Sequence, residues 1–184
     1  INTSKTDPTK VDTDGDGLSD GTELLVGTDP LVAEPKTVFS NLSSGAFTGG
    51  DAGEGLDLAG NFVYAFNVSS AGAAGKAGDA DFTADNVAGV VVTAAANVAA
   101  WDTPEYGDSA ADDVVERVTS SIRYGPAVKV QLAKLLPGGS YKLQLLFYEQ
   151  CCGNRGFNVW ADGVLIAENF NPSVAQGGVN NTAA

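Results

Sequence analysis

Histidine is absent from the chain, and methionine is absent too. The first absence removes the commonest general base and the commonest neutral metal ligand, and with them most nucleophile–base arrangements. We therefore expect a non-catalytic protein. The second absence, with Ile1 at the start, reads as a processed product or a fragment. Positive charge is scarce: 10 Lys and Arg against 23 Asp and Glu leave a net charge of -13. That balance argues against nucleic-acid backbone and against an anionic membrane as partners. No apolar run approaches the ~20 residues that a membrane helix needs, so no membrane insertion is expected. Cysteine is limited to the adjacent pair Cys151 and Cys152, which cannot build a long-range disulfide framework within the chain. Aromatics are few, at 8%.

Glycine, alanine and valine fill the space, and hydrophobic residues reach 43%. This is the composition of a strand-rich globular protein with many turns rather than of a disordered chain.

The most informative stretch is "DTDGDGLSDGTE", from Asp12 to Glu23. Asp12, Asp14 and Asp16 stand at positions 1, 3 and 5 of a twelve-residue loop, with Gly17 at 6. Leu18 offers its backbone carbonyl at position 7, Asp20 stands at 9 and Glu23 at 12. Alternating oxygen ligands around a sharp glycine turn are the spacing of an EF-hand-type calcium loop. A solvated acidic linker would not place the glycine and the last glutamate in register. The preceding "INTSKTDPTKV" holds a proline and few helix formers, so the entering helix of an EF-hand is not expected. "GTELLVG" after the loop suits one short helical turn ending at Gly27.

The segment "TDPTKVDTDGDGLSDGTELLVGTDP" resembles the bacterial thrombospondin type 3 repeat, in which short D-x-D-G-D-G loops follow one another, separated by G-T-D-P-like turns. The "TDP" at Thr6 returns at Thr28, a spacing of 22 residues, as a repeat would have it. The resemblance implies Ca2+ at Asp12, Asp14, Asp16, Leu18, Asp20 and Glu23, an extracellular or cell-surface location, a bacterial source, and a structural role for the ion.

Pro35, in "LVAEPKTV", suggests a hinge, which divides the chain into a calcium-binding linker over 1–35 and a larger domain over 36–184. Strand-forming segments run over Phe62–Val68, Val87–Thr93, Ala127–Leu132, Tyr141–Tyr148 and Phe157–Ile166. In the fourth, Tyr141, Leu143, Leu145 and Phe147 share one face, expected to be the core face. Asp162-Gly163 marks a hairpin turn. One helix is expected, with Ser109 and Asp112 forming a capping box, a stripe of Val114, Val115, Val118 and Ile122, and an end near Tyr124. The fold class is all-β, an antiparallel sandwich with one short helix.

"LLPGGSYKLQLLFYEQCCGNRGFNVWADGVLIAENFN" resembles malectin-like and related carbohydrate-binding jelly rolls, through Tyr141, Phe147, Glu149, Arg155, Phe157, Val159 and Gly163 in order. The resemblance implies a jelly-roll sandwich in which these positions are scaffold, with Glu149 and Arg155 pairing across strands. It does not carry sugar binding by itself. In such jelly rolls at least one further strand follows the hairpin. The expectation is thus a truncated sandwich, or one completed by a neighbouring copy through strand complementation, with the arm from Ile1 to Val11 as candidate donor.

Three other places carry chemistry. Cys151 and Cys152 either form a vicinal disulfide or remain reduced. Trp101, Asp102, Glu105 and Tyr106 crowd one loop, either as a sugar-binding face or as aromatics folded over the core. The glycine-rich stretch from Thr48 to Gly60, with Asp51, Glu54 and Asp57, is either a second calcium site or a plain loop. Sequons at Asn2, Asn41, Asn67 and Asn180 are adequately explained by chance. The reading as a whole is an extracellular structural or adhesive module of a surface or fibre-forming protein, stiffened by calcium. The alternative is a carbohydrate-binding module that tethers a larger secreted protein to glycans.

Overall fold

The structure is a computed structural model that describes residues 5–26, 28–33, 37–47, 53–69, 72–136 and 138–178. Pro35, the stretch 48–52 with Asp51, and the sequons at Asn2 and Asn180 lie outside them. The chain falls into two compact units. One combines residues 1–42 with 137–139 and 157–170, and the other combines 43–136, 140–156 and 171–184.

In the first unit a short helix α1 (Asp20–Val26) follows the acidic loop, with Asp20 and Glu23 in its first turn, where carboxylates complement the helix dipole. The hairpin β1 (Phe157–Ala161) and β2 (Val164–Phe170) belongs to the same unit. Asp162-Gly163 makes its turn as expected, both residues at positive φ. Phe157 packs edge-on against Phe170 at the open end, with ring centroids 5.8 Å apart.

The second unit is built around α2 (Ala110–Thr119). Ser109 caps it: its hydroxyl accepts the Asp112 amide at 3.2 Å, and the Asp112 carboxylate accepts the Ser109 amide at 2.9 Å. Val114 and Val115 lie ~100° apart around the helix and are both buried, so α2 wedges between two small cores. Val114 packs with Ala74, Ala77, Ala80 and Phe82, and Val115 with Phe47 and Tyr106. The first core is mostly alanine, which lets the β3–β4 hairpin (Gly75–Ala77, Ala80–Phe82) lie close to the helix. Arg117 Nε adds a 2.7 Å bond to the Ala74 carbonyl.

Two further antiparallel ladders complete the described strands. Strand β5 (Val90–Thr93) pairs with β8 (Lys129–Leu132), and β6 (Ala96–Val98) pairs with β7 (Ile122–Tyr124). A last helical turn α3 (Pro172–Ala175) is capped by the Asn171 side chain. Arg123 pairs with Asp85 and reaches the Val68 carbonyl at 3.0 Å, tying β7 to two loops.

The protein is strand-rich with few helices, as expected. The sandwich is not: among the described residues the strands form four separate two-stranded ladders, and no closed sandwich or jelly roll. Three expectations need correction. Phe62–Val68 contributes only one isolated bridge, between Phe66 and Thr83. Tyr141–Tyr148 is in no ladder, and of the face expected in the core only Phe147 is half-buried. Tyr141, Leu143 and Leu145 are 45%, 50% and 45% exposed, while Leu146 and Tyr148 pack on the Phe47 core. Polar side chains tie the segment to Asp57. Gln144 bonds both the amide and the carbonyl of Asp57 at 2.9 Å, and Lys142 pairs with the Asp57 carboxylate at 2.7 Å. Helix α2 ends at Thr119 rather than near Tyr124. Thr119 and Ser120 turn their hydroxyls back onto the Val115 and Arg117 carbonyls at 2.9 Å, and Ile122 joins β7 instead of the helical stripe.

Candidate metal centre

The acidic loop is organised by its own aspartates. Asp12 accepts the Gly15 amide at 2.7 Å through one oxygen and the Gly17 amide at 2.9 Å through the other. Asp14 accepts the Asp16 amide at 3.2 Å, and Asp16 accepts the Leu18 amide at 2.8 Å. Gly15 and Gly17 take φ of 81° and 107°, which a side chain would strain, so the chain can double back at these two points. The Asp20 amide then donates to the Val11 carbonyl at 2.9 Å and closes the loop.

This folding gathers Asp12, Asp14 and Asp16 so that one carboxylate oxygen of each lies within 4.8 Å of the others. At that separation each pair of charges repels by ~1 kcal/mol in bulk water and by several times that in a protein-like medium. Asp14 Oδ2 is also buried with no hydrogen-bond partner among the described residues. A hard cation at the centre would offset both costs, because oxygen donors in a flexible loop are what Ca2+ takes. The residues present therefore fit the ion that the spacing implies.

The other expected ligands stand differently. Asp20 is engaged by Thr13, whose amide and hydroxyl donate to its two oxygens at 2.7 and 2.8 Å. Partial burial opposes the Asp20 charge, but hydrogen bonds from Thr13, Thr6 and the Asp20 amide together outweigh it and hold its carboxyl below the usual range. Glu23 is fully buried in the first turn of α1. Leu18 is half-buried, with its backbone at the position-7 turn.

The remaining candidates lie in the second unit. Tyr106 is buried against Phe47 with ring centroids 5.3 Å apart, and its hydroxyl shares a 3.0 Å bond with Thr119. Trp101 is half-buried, Glu105 is exposed, and Asp102 accepts the Tyr148 hydroxyl. These four residues are thus drawn in different directions, Tyr106 inward and Glu105 outward. In the glycine-rich stretch Glu54 is buried and Asp57 is committed to Lys142. Asn67, of the third sequon, is buried and donates to Ser121 Oγ at 3.0 Å.

Cys151 and Cys152 are joined by a disulfide. Their loop rests on Glu149, whose buried carboxylate accepts the amides of Cys151 and Cys152 at 2.9 and 3.1 Å. Arg155 approaches the second Glu149 oxygen at 3.7 Å. Gln176 follows α3, and it holds the Glu149 backbone from both sides. Nothing in the local sequence signals that partner.

A groove of about 540 Å³, absent from the sequence reading, is lined by Asn61, Phe62, Tyr64, Asp79, Asp81 and Thr83, among others. No helix among the described residues is long and apolar enough to cross a membrane. Comparison with curated proteins and with solved structures returns no match. Residues 12–33, which hold the acidic loop and α1, match the family model of the bacterial TSP3 repeat.

Proposed function

We propose that this chain is a calcium-stiffened, non-catalytic extracellular module with a structural or adhesive role in a surface or fibre-forming protein. The observation that carries the reading is the gathering of Asp12, Asp14 and Asp16, one of which has a carboxylate oxygen buried without a partner among the described residues. The match of residues 12–33 to the repeat model supports it. Asp12, Asp14 and Asp16 would supply side-chain oxygens and Leu18 its carbonyl, with Asp20 and Glu23 completing the set after local rearrangement. The ion supplies charge neutralisation and rigidity, and the loop's own hydrogen bonds keep the ligands oriented. Calcium at millimolar concentration should raise the thermal stability of the chain, and Asp14→Ala with Glu23→Ala should remove the increment. An increment that survives both substitutions would sink the ligand assignment.

Self-association by strand addition belongs to the same proposal. Each described ladder has only two strands, which leaves edges that another copy can extend. The malectin-like scaffold is retained as part of it, supported by the order of Tyr141 to Gly163 and by the hairpin at its end.

A second reading, a glycan-binding module, is favoured by the groove. Phe62 and Tyr64 offer apolar ring surface beside the acceptors Asp79 and Asp81, the combination that polyhydroxy ligands need. Glycan-array binding lost on Asp81→Ala would favour this reading over the structural one.

A further inference from the structure

An EF-hand loop is held between two helices, and here the described residues before the loop, 5–11, contain no helix. Of the two flanking helices only α1 is present among the described residues. The half-buried Leu18 side chain points to a second support. A Cβ built on Gly163 would run into Leu18 Cδ2 and would lie 3.5 Å from its Cγ. The leucine therefore sits directly on the turn of the β1–β2 hairpin, across 145 residues of sequence. Gly163 has φ of 72°, so both the turn and the close approach call for glycine there. The neighbouring Asp162 carboxylate accepts the Thr37 hydroxyl, a second tie between the turn and the N-terminal segment.

We propose that the Asp162-Gly163 turn is a remote part of the calcium site, with Leu18 as the positioning residue that links them. This inference rests on the calcium reading of the loop. Position 7 of such a loop gives its backbone carbonyl to the ion, so the orientation of the Leu18 peptide unit decides whether that ligand is available. Pressed onto Gly163, the leucine side chain fixes the residue, and with it the peptide unit whose carbonyl position 7 gives to the ion. The hairpin gives the loop a second support besides α1. The coupling is reciprocal: whatever factor the hairpin contributes to calcium affinity, calcium returns to the ordering of the hairpin. An isolated two-stranded hairpin is marginal by itself, so such a contribution matters for β1 and β2.

The experiment is amide hydrogen exchange on the full chain with and without calcium, read on peptides covering 157–170, together with calorimetric calcium titration. Wild type should show slower exchange in the hairpin when calcium is present. Leu18→Ala keeps the backbone carbonyl but loses the contact. It should weaken calcium binding on the order of 5-fold and abolish the protection at 157–170, while protection within 12–23 survives. Gly163→Ala, which drives a methyl into the same leucine, should weaken calcium binding in the same direction. If wild type binds calcium and the hairpin exchange does not change, the coupling is wrong and the calcium site stands. If wild type binds no calcium in the titration, both fall.

Discussion

Glu149 and Gln176 hold each other by two hydrogen bonds: the Glu149 amide donates to Gln176 Oε1 at 3.0 Å, and Gln176 Nε2 donates to the Glu149 carbonyl at 2.7 Å. Gln176 is 1% exposed and Glu149 7%, so a side-chain amide stands in for a neighbouring strand at a buried point. The Glu149 carboxylate then carries the Cys151 and Cys152 amides. Replacing Gln176 by alanine leaves a buried N–H and a buried C=O without those bonds, at a cost of about 2–3 kcal/mol. Urea unfolding of Gln176→Ala should show that loss. Reduction of the Cys151–Cys152 disulfide by a thiol reagent should become faster, because the loop loses its anchor.

The Asp102–Tyr148 bond should make stability depend on pH at both ends of the scale. Burial opposes the Asp102 charge, but hydrogen bonds from the Tyr148 hydroxyl, the Thr103 backbone and the Gln150 side chain together outweigh it and hold the carboxyl below the usual range. Burial first, and then Asp102, raise the Tyr148 hydroxyl well above the usual tyrosine range. The Asp102 share of stability is present above its unfolded pKa of about 4 and is lost as pH falls through the lower folded value. The Tyr148 share is full below about 10 and is lost as pH rises toward the raised folded value. The stability difference between wild type and Tyr148→Phe, measured by urea midpoint, should be flat from about pH 5 to 9 and narrow on both sides. A constant difference across the whole range would contradict this.

Helix α2 should respond to its cap and to its two cores in separate measures. Ser109→Ala removes the acceptor of the Asp112 amide and should cost about 1 kcal/mol. Val115→Ala leaves a cavity beside Phe47 and Tyr106 at a position with 0% exposure and should cost about 2 kcal/mol. Far-ultraviolet circular dichroism through a denaturant titration would check both values.

Self-association through open edges predicts order visible in the electron microscope. Purified protein in calcium should form filaments that thin out or disperse after chelation with EDTA. Monodisperse particles under both conditions would remove strand addition from the account.

What the sequence makes legible here is what local chemistry decides. The Ser109–Asp112 capping box and the Asp162-Gly163 turn each depend on a few adjacent residues, and both are found where expected. The aspartate spacing of the loop is equally local, and the structure gathers three of its members. The segment from Tyr141 to Tyr148 shows the limit. Its alternation identifies two faces, but what each face meets lies far away in sequence: Leu146 and Tyr148 meet the Phe47 core, and Gln144 and Lys142 meet Asp57 across 87 and 85 residues. The hairpin Gly75–Phe82 leaves little trace in the sequence because it is built on glycine and alanine, which give little hydrophobic contrast between faces. Tyr106 stays ambiguous in the sequence because an aromatic next to carboxylates reads the same whether it faces solvent or, as here, Phe47 and Val115.

Calorimetric titration of calcium into the wild-type chain, repeated with Asp14→Ala, tests the central claim most directly. The account predicts binding with a dissociation constant of ~10⁻⁴ to 10⁻³ M, as weak extracellular sites have, and its loss in the variant. No binding by wild type at millimolar calcium would contradict it.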